Sequence, residues 1–171
     1  LQNAGWENEM TINELQRLLI QEIEDLTNDI YITDTKGELV PFKGYPQNIN
    51  MSESYQSDIQ ESKDKWFPYF LVRMDKAEYR KKEADGRNQA HLFIEVNICD
   101  SEYDRKGFYT LTAILQRIIS RFQKESILGA FCCDQSMNLI FQKEYEFPYY
   151  KGEVEMFWNL PDIQLEKVYE S

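Results

Sequence analysis

His91-Leu92-Phe93-Ile94-Glu95-Val96-Asn97-Ile98 decides the fold. Leu92, Ile94, Val96 and Ile98 fall on one parity, and His91, Phe93, Glu95 and Asn97 on the other. Successive side chains of an extended chain point to opposite faces, so this spacing predicts a strand with one face in a core. Just upstream, Asp85-Gly86 is a dipeptide that favours a tight hairpin turn. Before it, Trp66 to Met74 is apolar on both parities, as a fully buried strand would be. These features predict a hairpin at the centre of a sheet.

Working outward, the period changes from two to 3.6. Leu111, Ile114, Leu115, Ile118, Ile119 and Phe122 form an apolar stripe, while Thr112, Gln116, Arg117, Ser120, Arg121 and Lys124 point away. A helix from about Thr110 to Lys124 follows. An earlier helix is predicted from Ile12 to Asp29, with apolar positions at Ile12, Leu15, Leu18, Leu19, Ile23 and Leu26. Thr11 and Glu14 stand at capping-box spacing before it. Alternation returns at Met137, Leu139 and Phe141, and again at Val154, Met156, Trp158 and Leu160, before Pro161 ends the regular structure. Asp34-Thr35-Lys36-Gly37 reads as a turn between two short extended pieces, Tyr31-Ile32 and Glu38 to Phe42.

The order is helix, strands, helix, strands. It predicts one α+β domain over residues 1–171: an antiparallel or mixed sheet with two main amphipathic helices packed on one face. Lys43 to Lys65 is polar and without a sustained period, so it reads as a long exposed loop. Residues 1–9 and 162–171 read as flexible ends.

The chain has 171 residues, of which 42% are hydrophobic, enough to bury a real core. A formal charge of −11 repels phosphate and anionic lipid, so neither specific nucleic-acid binding nor membrane binding is expected. No apolar run is long enough to span a bilayer, and Leu1 to Met10 lacks the features of a secretory signal. Cys99, Cys132 and Cys133 are an odd set with two adjacent members, which reads as three reduced thiols in a cytosolic setting.

Chemistry finds little support. His91 is the only histidine and sits on the outward parity of its strand; no Gly-x-Ser-x-Gly elbow exists, and Cys132-Cys133 has no base beside it. Asp100, Glu102 and Asp104 have the spacing of half a calcium loop. Arg105 stands where that loop needs glycine, however, and Leu111 replaces its closing carboxylate. Zinc would need more ligands than one histidine and no Cys-x-x-Cys can offer. A magnesium-dependent nuclease built on Glu95 and Asp100 is a remote alternative, with no basic patch to hold DNA. No glycine pattern cradles a phosphate. The reading is therefore no enzyme, no catalytic or metal-binding residue and no cofactor. What stands out is aromatic density: Tyr103, Phe108, Tyr109, Tyr145, Phe147, Tyr149 and Tyr150 flank the second helix and the last hairpin. Tyrosine offers large amphipathic contact area at low entropic cost, which suits a protein interface.

Two segments carry a family likeness. Ile98-Cys99-Asp100-Ser101-Glu102-Tyr103-Asp104-Arg105-Lys106-Gly107-Phe108-Tyr109 runs from a strand through an acidic turn into an amphipathic helix. Glu146-Phe147-Pro148-Tyr149-Tyr150-Lys151-Gly152-Glu153 is a Pro-Tyr-aromatic turn before the last strand. With the apolar strand from Trp66 to Arg73, they resemble small tail proteins of Firmicutes prophages, over roughly Trp66 to Pro161. The family is the tail terminator, or tail-completion (head–tail joining) protein, of long-tailed phages.

The resemblance implies an α+β subunit without enzymatic activity or cofactor. It would assemble with itself as a ring, usually a hexamer, capping the tail tube protein and docking head–tail connector proteins. It would belong in the virion at the head–tail junction, and in the host cytoplasm during assembly. Candidate subunit or partner contacts are Asp100, Tyr103, Asp104, Gly107, Phe108, Tyr109, Phe147, Pro148, Tyr149, Tyr150 and Gly152, together with the loop 43–65. An acidic ring would let DNA slide past, since like charges remove the counterion-release gain of binding. The alternative is an acidic monomeric protein-binding module or inhibitor that mimics the charge of DNA.

Overall fold

Helix α1 (Ile12–Leu26) begins at Thr11, whose hydroxyl accepts the Glu14 amide at 3.4 Å, half of the expected capping box. It ends three residues before the expected Asp29, because Thr27 turns its hydroxyl back onto the Ile23 carbonyl at 2.7 Å. The computed structural model describes residues 11–49, 64–80, 87–102, 105–144 and 146–162. After α1 come β1 (Ile32–Thr33) and β2 (Leu39–Val40), a small antiparallel pair. Their turn is the expected one: the Asp34 carboxylate accepts the amides of Lys36 and Glu38, and Gly37 takes φ +82°.

The main sheet is made of β3 (Lys43–Pro46), β4 (Tyr69–Glu78), β5 (Gln89–Cys99), β6 (Ile127–Leu128), β7 (Phe131–Cys133), β8 (Asn138–Phe141) and β9 (Tyr149–Asn159). Its order is β3-β4-β5-β9-β7-β6, with β8 also on the outer edge of β9. The β3–β4 pair is parallel and the other pairs are antiparallel, so the sheet is mixed. Helix α2 (Lys106–Lys124) joins the two halves.

Register explains the core. Val72 stands opposite Ile94, and Ile94 opposite Val154; Leu92 faces Met156 and Ala90 faces Trp158. All lie on the face that receives Leu15, Leu19 and Ile23 of α1 and Leu111, Ile114, Leu115, Ile118 and Phe122 of α2. The Phe122 ring meets Trp158 edge-on at 5.2 Å. Glu22–Arg121 at 2.6 Å ties the two helices together. The fold class is thus α+β, a curled mixed sheet with two helices against it.

Several expectations are corrected. The loop 43–65 begins as a strand: Lys-Gly-Tyr-Pro has no alternation, but β4 orders it by parallel pairing. Residues 50–63 and the turn Asp85-Gly86 lie outside the described residues. Strand β4 starts at Tyr69 rather than Trp66, and the Phe67–Pro68 bond before it is cis. Helix α2 starts at Lys106, four residues earlier than expected, and β9 starts at Tyr149. The β6–β7 hairpin, turning at Gly129 (φ +59°), has no counterpart among the sequence expectations.

Candidate functional site

The pairing of β5 with β9 brings Cys99 opposite Tyr149, so two segments remote in sequence meet at one end of the sheet. Asp100 donates its amide to the Pro148 carbonyl at 2.9 Å, and its carboxylate accepts the Glu102 amide at 2.9 Å. The first turn of α2 lies over this junction. Gly107 is buried there, so close to Tyr150 that a Cβ at its position would overlap the ring. Farther along, a Cβ on Gly152 would come within 2.6 Å of the Leu115 Cδ1 atom. These two close approaches press α2 onto β9 and fix what stands beside them.

What stands beside them is a groove of about 430 Å³, lined by Arg105, Phe108, Tyr109, Phe147, Tyr149 and Tyr150. Tyr109 is 64% exposed and Phe147 45% exposed at its rim. Phe108 packs on Phe141 with ring centroids 5.6 Å apart. Tyr149 donates its hydroxyl to Asp64 at 2.6 Å and holds its ring 5.0 Å from that of Phe67. Arg105, in the left-handed region at φ 67°, precedes a helix with no acidic residue in its first turn. Carboxylates stand close by: Asp64 on the Tyr149 hydroxyl, Asp100 on the Glu102 amide, and Glu102 3.4 Å from Lys106.

Of the candidate residues, Phe108, Tyr109, Phe147, Tyr149 and Tyr150 line one groove, while Asp100 and Pro148 brace its floor. Gly107 in the first turn of α2 and Gly152 on β9 are buried where the two elements meet, and act by permitting close packing rather than by presenting surface. Tyr103 and Asp104 lie outside the described residues. Arg105 and Phe141 are additions to the candidates. In the sequence Arg105 signals only a misfit in a calcium loop, and Phe141 only a strand.

The groups considered for chemistry are engaged elsewhere. His91 Nδ1 lies 2.9 Å from Asp75 Oδ2 and Nε2 lies 3.0 Å from Glu155 Oε2, with the ring stacked on Phe157 at 4.6 Å. The Asn138 amide, and then His91, hold the Glu155 carboxyl below the usual carboxylate range. Glu95 is buried among Asn97 Nδ2 at 3.1 Å, Lys151 Nζ at 3.2 Å and Arg73 Nε at 3.9 Å. Burial pushes the Cys133 thiol up to about 12, and burial with nearby carboxylates raises Cys99, the reverse of what a nucleophile needs. Among the described residues no three histidine, cysteine, aspartate or glutamate side chains converge as metal ligands. Among the described residues, no helix is long and apolar enough to cross a membrane.

No protein-family model matches the sequence, and no curated protein matches it. A solved structure, of a protein without a descriptive name, aligns over 92% of this chain and 100% of its own, at 8% identity and a TM-score of 0.46. A likeness that slight carries no function.

Proposed function

We propose that this protein is a structural assembly subunit of the phage tail terminator kind, a ring-forming cap that joins a tail tube to the head connector. The aromatic groove between α2 and the β8–β9 turn is its contact surface. One observation carries the reading: the two segments that bear the family likeness, remote in sequence, converge into a single apolar groove whose rim leaves Tyr109 and Phe147 in solvent. Large aromatics kept on a rigid rim cost solvation in the isolated chain and return it on docking. The residue chemistry agrees, since the Cys99 and Cys133 thiols are raised in pKa and His91 is held between two carboxylates. The acidic charge suits a surface past which DNA must slide.

The test is assembly. The full chain, alone and co-expressed with the products of adjacent genes, is sized by light scattering and imaged by negative-stain electron microscopy. Rings, or caps on tube ends, are expected. Tyr109→Ser with Phe147→Ser should weaken assembly by about 30-fold or more, the effect of losing interface anchors. A compact 20.5 kDa species that neither closes nor caps a tube in any of these mixtures would overturn the proposal.

A further inference from the structure

The main sheet ends at β3 on one side and, on the other, at β8 and the two-residue β6, and the chain treats the β3 and β8 edges differently. On β3, the Gln47 amide donates to the Val72 carbonyl at 3.1 Å, so alternate residues Lys43 and Tyr45 face β4 while Gly44 and Pro46 face outward. Most of those outward groups offer nothing to an incoming strand. The Gly44 amide donates to Glu24 Oε1 at 3.0 Å, Pro46 has no amide, and the Pro46 carbonyl accepts the Asn48 amide at 2.8 Å. This edge is protected against strand addition.

Strand β8 lies at the other side. Gln142 donates its amide to the Lys151 carbonyl, one step beyond the Phe141–Gly152 pair, so Asn138, Ile140 and Gln142 bond to β9. The amides and carbonyls of Leu139 and Phe141 therefore point away from the sheet. Among the described residues nothing pairs with them. The usual protections are missing too: Gln135 through Gln142 contains no charge, no proline and no glycine, in a chain whose charged fraction is 29%. Ile140 is 41% exposed on the face opposite the helices.

We infer that the β8 edge is a two-fold interface on which a second copy of this chain adds its own β8 antiparallel, centred on Ile140. The register follows from the outward groups. Leu139 faces Phe141 of the other copy, exchanging amide and carbonyl, and the reverse pair does the same. Ile140 meets Ile140 in a non-hydrogen-bonded pair, and Asn138 meets Gln142. No like charges are brought together, which matters for an acidic protein pairing with itself. On the helix side, Phe141 sits against Phe108, so the contact runs on into the aromatic groove and gains side-chain burial there. With each β8 edge used up by its two-fold mate, β3 protected and β6 only two residues long, the contact closes as an isologous pair. This contact is separate from the head-to-tail closure of a ring and does not depend on it.

Sedimentation of the full chain across concentration tests the inference, using wild type, Ile140→Lys, Ile140→Glu and an equimolar mixture of the two variants. Wild type is expected to form pairs, singly or within a larger ring. Each variant places like charges face to face and should associate about tenfold more weakly, while the mixture recovers. Ile140 is surface-exposed, and equal thermal melting of the variants separates lost pairing from lost folding. Ile140→Cys should also form a disulfide-linked dimer under air, because non-hydrogen-bonded antiparallel pairs bring Cα atoms within disulfide reach. The inference is overturned if wild type stays a single 20.5 kDa chain and Ile140→Cys cross-links no more than the wild-type background. A ring that Ile140→Lys leaves unchanged also overturns it, while sparing the ring reading. Pairs without rings would support the edge contact and count against the ring.

Discussion

Raising the pH from 8 to 11 should remove much of this protein's stability margin, and Cys133 should carry most of the loss. The thiol is 3% exposed at the end of β7, with Asp134 beside it, and burial lifts it from 9.0 to about 12. Tyr69, buried beside Glu95, is lifted from 10.0 to about 12. Both groups are neutral when protonated, so each raised value means that the native state holds its proton more tightly than the unfolded chain does. Their contribution is complete below the unfolded values and is lost as pH rises toward the folded ones. At pH 11 linkage gives a loss of about 3 kcal/mol from Cys133 and about 1 kcal/mol from Tyr69, with Cys99 adding in the same sense. Urea unfolding followed by tryptophan fluorescence, under reductant, measures it. Wild type should lose about 4 kcal/mol between pH 8 and 11, and Cys133→Ala about 3 kcal/mol less than wild type. The cavity left by alanine is present at both pH values and cancels. Equal losses in the two proteins would refute the reasoning.

Two further substitutions test the packing that builds the site. Gly152→Ala places a methyl group 2.6 Å from Leu115 Cδ1 in a fully buried layer, and should cost about 1–3 kcal/mol, read as a lower thermal midpoint. Gln16→Leu removes the side-chain amide that bonds the Val72 carbonyl at 2.9 Å and Gln47 Oε1 at 2.6 Å; it should destabilise by about 1–3 kcal/mol in urea despite putting an apolar residue on an apolar face.

The parts of this fold legible in the sequence are those whose order comes from their own side chains. Strand β5 and the two helices have a clear period because one face of each is buried by residues from elsewhere, and the structure buries those residues. Strand β3 is illegible for the opposite reason. Lys43-Gly44-Tyr45-Pro46 combines two turn residues, and only the parallel register with Tyr69 to Val72 makes it a strand; its glycine is there because the Phe70 ring occupies the space of a Cβ. The two-residue β6 is too short to hold a period at all. Aromatic density marks the site's ingredients, but nothing local to Phe108 or Phe147 says they share a groove. That follows from Cys99 pairing with Tyr149, a contact between residues far apart in the chain.

On the face opposite the helices Arg73 lies 3.4 Å from Glu153, Lys151 lies 3.2 Å from Glu95, and His91 sits between Asp75 and Glu155. The outward amides of Leu139 and Phe141 are different, because water satisfies them in the single chain and leaving them open costs no stability. The same was open to β3, yet there Glu24, Pro46 and Asn48 close the edge. An edge guarded at β3 and left bare and uncharged at β8 makes no difference to an isolated molecule. The asymmetry has a physical consequence only when a second chain arrives, and it fixes the side from which that chain can pair.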